Sequence, residues 1–147
     1  MVTAQDQLRA LLREDIAPRL RQAGLTGTER TFKVSSHEFF AQIGIQSSTS
    51  STAERVKFTA NVQVISKAAW DAARVEMKWL PARPSPNVTY PVSGSWQERI
   101  GTLISGSDQW WWLDASGQRR GEVVAELGDA LVFRAVPAIH SNMKSNG

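Results

Sequence analysis

The stretch Ser95–Asp114, SWQERIGTLISGSDQWWWLD, holds four of the chain's six tryptophans and decides how the rest is read. Ser105-Gly106-Ser107-Asp108 separates two apolar runs and carries turn chemistry, since Gly tolerates positive φ and Ser and Asp bond their own backbone. Arg99–Leu103 and Gln109–Leu113 therefore read as two extended segments joined in a Trp-rich hairpin. The first run is the weaker strand and, with Trp96 and Glu98 before it, could begin as a helical turn. In an extended Gln109–Leu113, Trp110 and Trp112 point to one side and Trp111 and Leu113 to the other. No polar residue breaks the tryptophan run, so this strand is expected inside the fold rather than at its rim.

Upstream, Thr3 can cap a helix over residues 4–22, in which Leu8, Leu12, Ile16 and Leu20 recur every four residues and Leu11 widens the stripe. Pro18 predicts a kink or a fresh start near Asp15, and Gly24 a stop. Three strands with period-two patterning follow at residues 29–35, 38–47 and 55–65. The third sends Val56, Phe58, Ala60, Val62 and Val64 inward and Lys57, Thr59, Asn61 and Gln63 outward. Short connections make these a three-strand antiparallel meander. Ser66 can cap a middle helix over residues 67–78, with Trp70, Ala73, Met77 and Leu80 on its apolar side. Residues 81–95 contain four prolines and read as a surface loop with one extended piece at 88–90. A last helix is expected from Gly121 to about Arg134, ended or bent by Pro137, before a frayed tail at 141–147. The expected architecture is α+β: one domain over residues 1–140, a meander plus Trp-rich hairpin, covered on one side by N-terminal, middle and C-terminal helices.

Composition narrows the class. The chain has 147 residues, 41% hydrophobic and 21% charged, enough for a core without staples. With no cysteine, disulfides and thiolate metal sites are excluded, and no apolar run has the length of a signal peptide or a membrane span. A cytoplasmic protein is the expectation. The net charge of +3 comes from 17 Lys and Arg against 14 Asp and Glu. Arg9, Arg13, Arg19 and Arg21 are diluted by Asp6, Glu14 and Asp15, so they read as a solvated helix face and nucleic-acid binding is disfavoured.

Three sequence signatures carry a family resemblance. They are Ile16-Ala-Pro18-Arg-Leu20 with Gly24-Leu25 and Phe32; Ile43-Gly-Ile45-Gln46 before the 58–64 strand; and Arg99-Ile100-Gly101 before Asp108-Gln-Trp110-Trp111. On these the chain resembles an uncharacterised bacterial family known as domain of unknown function 4304, with a similarity covering about residues 8–131. Leu25 stands where that family has an aromatic residue, and Trp112 is an addition. The resemblance implies an intact domain and transfers no catalytic or binding residue.

The residues themselves offer little acid–base chemistry. His37 sits at a turn and His140 near the tail, and there is no nucleophile elbow, phosphate-binding glycine loop or paired-histidine motif. No catalytic residue, metal ligand or cofactor is assigned. Arg99 and Asp108 are expected to pair beside the tryptophans, either to order the turn or to anchor an anionic or planar ligand over Trp96, Trp110 and Trp112. A second candidate is the polar sheet face of Lys33, Gln42, Gln46, Thr59, Asn61 and Gln63, which is expected to be solvated, covered by a helix, or mated to a partner. The expected function is a non-catalytic module that binds another protein, a toxin-neutralising partner being one version. The alternatives are a small-ligand binder using the tryptophans and a weak single-stranded nucleic-acid binder stacking bases beside Arg119 and Arg120.

Overall fold

A computed structural model describes residues 1–27 and 29–145. Thr3 caps the first helix, accepting from the Asp6 N–H at 3.1 Å while the Asp6 carboxylate accepts from the Thr3 N–H at 2.9 Å. This helix, α1, covers residues 4–22 without a break. Pro18 is absorbed by a π turn at Leu12–Ile16, in which the Ala17 N–H bonds five residues back to the Leu12 carbonyl. Widening the helix by one residue gives room to a ring that has no N–H to donate and would collide with the preceding turn. The last helix uses the same device. It runs over residues 120–145, with a π turn at Leu131–Ala135 just ahead of Pro137 and the Val136 N–H bonded to the Leu131 carbonyl. Pro137 thus ends nothing. Helix continues through Ser145 where a frayed tail is expected from 141, while Asn146 and Gly147 lie outside the described residues.

The sheet is antiparallel and six-stranded: β1 (Leu25–Gly27), β2 (Thr31–Val34), β3 (Phe39–Ser47), β4 (Arg55–Ser66), β5 (Trp96–Arg99) and β6 (Trp111–Asp114). The meander forms as expected from its alternation, and β1 adds a short edge strand after Gly24. No hairpin joins the tryptophan segments. β5 pairs with Asn61–Val64 and β6 with Arg55–Phe58, so both run in the same direction along one edge of β4. They amount to one edge strand interrupted by an excursion through a short helix at Ile100–Ser105. Ile100, Leu103 and Ile104 have helical rather than alternating spacing, and Ile100 is fully buried. Gly101 makes the excursion compact: a Cβ there would lie 2.5 Å from the Gln109 backbone nitrogen. At the gap between β5 and β6, the Thr59 hydroxyl donates to the Gln109 carbonyl at 2.7 Å.

Two cores lie on opposite faces of the sheet. The larger contains Ile43, Ile45, Phe58 and Val62 and is closed by α1 and the 120–145 helix through Leu8, Leu12, Leu127 and Ile139. Ion pairs join those helices: Arg120 reaches Glu14 at 2.6 Å and Asp15 at 2.8 Å, and Arg19 reaches Asp129 at 3.0 Å. The hydrogen bond from Arg120 also holds the Glu14 carboxyl below the usual carboxylate range. The middle helix, α2 (Lys67–Glu76), is not on that side. It packs on the other face, where Trp70 meets Ile65, Leu80, Tyr90 and Val92. Phe40 and Ile65 interrupt the polar alternation of that face at one end of β3 and β4, and this apolar pair is what α2 covers.

Candidate functional site

The polar face of the sheet divides into a covered middle and an open end. Residues 81–95 run over the middle as an irregular strap, with no strand at 88–90. Trp70 pins its start by donating its indole N–H to the Pro81 carbonyl at 3.1 Å. The strap then sits so close that a Cβ on Gly44 would fall 2.5 Å from Pro86 and from Asn87. The outward amides bond to it. Gln42 donates to the Pro84 carbonyl at 2.8 Å and Gln63 to the Ser85 carbonyl at 2.9 Å. Asn61 donates to Gln46 at 2.7 Å and to Asn87 at 2.9 Å. Gln42, Thr59 and Gln63 are buried. Of the candidate polar surface, Gln42, Asn61 and Gln63 are bonded to the strap, Gln46 to Asn61 and Thr59 to the Gln109 carbonyl. This face is therefore tied up by a loop and internal bonds rather than covered by a helix, with Gln46 and Asn61 half-buried. Lys33 alone of that set is exposed.

Beyond the strap the same face is open. The β4–β6 register sets Lys57 opposite Trp112 and Arg55 opposite Asp114. The Trp112 indole has two guanidinium groups against it: Arg55 from β4, 3.9 Å from the ring centroid, and Arg119 from the turn after β6, at 4.0 Å. Trp110 is flanked by Arg99 at 5.1 Å and Lys57 at 5.4 Å. Its indole N–H donates to Asp108 at 2.9 Å, and Asp108 takes Arg99 at 3.2 Å, so the expected Arg99–Asp108 pair is formed. The bond from Trp110, followed by the charge of Arg99, holds the Asp108 carboxyl below the usual range. Two indoles and four cations thus make a ladder beside a concavity of about 300 Å³ lined by Ser50, Ser51, Thr52 and the tryptophans. Three carboxylates temper the charge: Asp108 on Arg99, Glu122 3.7 Å from Arg119, and Asp114, opposite Arg55 in the register and within the field of Arg119.

The structure brings together Arg99, Asp108, Trp110 and Trp112 of the predicted set and removes Trp96. Trp96 pairs with Val64 on the opposite face and packs against the large core. Trp111 is buried, its ring centroid 6.5 Å from Phe58, and donates to Glu126 at 3.1 Å. Arg55 and Lys57 were not singled out by sequence reasoning. Their parity on β4 places them on this face, but only the β4–β6 register puts them on the tryptophans. Arg119 joins the ladder, whereas Arg120 is turned away into the ion pairs with α1. His37 and His140 are exposed, one at a turn and the other on the last helix. Among the described residues no group of three or more acidic or histidine side chains is placed to hold a metal.

What fold and face define is a small α+β protein built on one antiparallel sheet, with a cation–indole ladder at the open end of its polar face. The family model described as Domain of unknown function (DUF4304) matches residues 16–139, and the chain belongs to that family. No curated protein and no solved structure matches it. Among the described residues no helix is long and apolar enough to cross a membrane.

Proposed function

We propose that this chain is a non-catalytic module of the bacterial cytoplasm that binds another protein through an acidic segment laid across the Trp110–Trp112 ladder. The observation that carries the reading is the set of four cations, Arg55, Lys57, Arg99 and Arg119, held on two half-buried indoles. Arginine and tryptophan are the side chains that most often dominate binding energy, and indoles hold the guanidinium groups in place before a partner arrives. Carboxylates of the partner would take the free edges of those guanidinium groups. Base stacking or a small-molecule cage is less favoured, because guanidinium groups already lie against Trp112.

The test is affinity capture from host lysate with the native chain and with an R55E/W112A variant whose fold is verified by circular dichroism. A partner retained by the native chain at low salt, lost by the variant, and crosslinked through an acidic segment is the expected result. Equal capture by both overturns the assignment of this face. Capture abolished by nuclease replaces the protein partner with nucleic acid. Consistent with the protein reading, oligo(dT) titrated at physiological salt should bind no tighter than about 10⁻⁴–10⁻⁶ M.

A further inference from the structure

The other end of the polar face, on the far side of the strap, holds a second concavity of about 330 Å³, between β2, the start of β3 and the strap residues Arg83 and Pro84. Three cations line it, Lys33, Lys67 and Arg83, together with the hydroxyl residues Thr26, Ser35 and Ser36. No carboxylate does. Glu38, in the turn beside it, and Asp71, one helical turn beyond Lys67, are not among its lining residues.

Six arginines of this chain are paired with acids: Arg9, Arg13, Arg19, Arg99, Arg119 and Arg120. Among the described residues Lys33, Lys67 and Arg83 make no ion pair. Lys67 is nonetheless held in place: its ammonium donates to the Ser36 carbonyl at 2.6 Å and stands 5.4 Å from the centre of the Phe40 ring. Both contacts are to neutral groups, so its charge is uncompensated, and an ammonium with three donors keeps two for a ligand. Like charges gathered in a concave, low-dielectric wall repel one another and focus a positive potential into the opening. An anion with charge at more than one point relieves that repulsion.

We propose that this cleft binds a compact polyvalent oxyanion, carried as phosphoryl or carboxylate groups of a small molecule. Lys67 is the fixed anchor, Arg83 presents its planar fork from the strap, and Lys33 closes the side along β2. Because Arg83 belongs to the strap and Lys67 to α2, occupancy would also tie the strap to the helix it follows. The site is independent of the ladder at Trp110 and Trp112 and stands whether or not that ladder docks a protein.

Isothermal titration with inorganic pyrophosphate and, separately, with citrate tests it at low ionic strength. The expected result is saturable one-to-one binding of at least one of them, weakened about tenfold by K67Q and by R83Q, as loss of a charge-assisted bond predicts. The stronger probe identifies whether phosphoryl or carboxylate chemistry fits. The ladder variant K57Q should bind as the native chain does, and thermal denaturation verifies that K67Q and R83Q are folded. Absence of saturable binding by both probes, or binding equally strong in folded K67Q and R83Q, or equally weakened in K57Q, overturns the site.

Discussion

Asn61 and Gln63 occupy the same face of β4 as Arg55 and Lys57, at the same alternate positions, yet the two pairs have opposite fates. The amides are under the strap, and Gln63 is fully buried with its donors spent on strap carbonyls. The cations are in the open, stacked on indoles. Neutral amides carry matched donors and acceptors, so a loop whose backbone offers the same can cover them at little cost. Backbone carbonyls can accept from a cation but do not neutralise its charge, which is expensive to bury, and the strap stops short of Arg55 and Lys57. The polar half of an alternating strand is therefore two things at once, an internal seam and a potential docking face. Amide against ammonium or guanidinium is the difference that separates them.

The largest effect should come from splitting the tryptophan run across the sheet. Trp111 is in the core, so Trp111→Ala is expected to lose about 3–5 kcal/mol in chemical denaturation. Trp112→Ala should lose only roughly 1–2 kcal/mol, from the two cation contacts. Equal losses would put the ladder in the core and remove it as a surface.

Next is the seam itself. Gln63→Ala leaves the Ser85 and Val88 carbonyls and Gln42 short of a partner and is expected to cost about 1–3 kcal/mol. Lys57→Ala, three repeats of the pleat away on the same face, should stay within about 0.5 kcal/mol. The same denaturation midpoints compare them, and a neutral Gln63→Ala would show that the strap is not held by this face.

The smallest effect belongs to Arg99 and Asp108. Both side chains are partly exposed, at 35% and 52%, so solvent screens the pair and a double-mutant cycle should give a coupling of only about 0.2–1 kcal/mol. The Asp108 carboxyl is depressed in the folded chain, so its contribution is present above the unfolded value near pH 4 and is lost as pH falls through the folded value. Acid titration of the native chain and of Asp108→Asn should diverge only at that acidic end. Divergence near neutral pH would assign the effect to another group.

Much of this was legible from residue order. Period-two alternation placed the three meander strands, and Thr3 and Ser66 marked two helix starts. The Arg99–Asp108 pair was expected from a hairpin that does not form; it forms across the helical excursion instead, its two members being only nine residues apart. That excursion was not legible, since Ser105–Asp108 has turn chemistry whether the chain reverses or resumes its direction. Nor did the tryptophan run reveal that Trp96 and Trp110 lie on opposite faces, because that parity depends on how many residues the inserted helix consumes. Arg55 and Lys57 reach the ladder only through strand pairing some fifty residues away in sequence.

The sequence by itself determined the α+β class, the antiparallel meander, the split of β4 into an apolar and a polar face, and membership of the family, since these rest on local periodicity and short signatures. Tertiary structure alone decided that β5 and β6 share one edge of β4, that α2 and the strap take the polar face, and that two prolines are absorbed in π turns. Those outcomes depend on which non-local surfaces are left to be covered. An isolated segment cannot encode that choice, because the energy that makes it comes from the element packed against it.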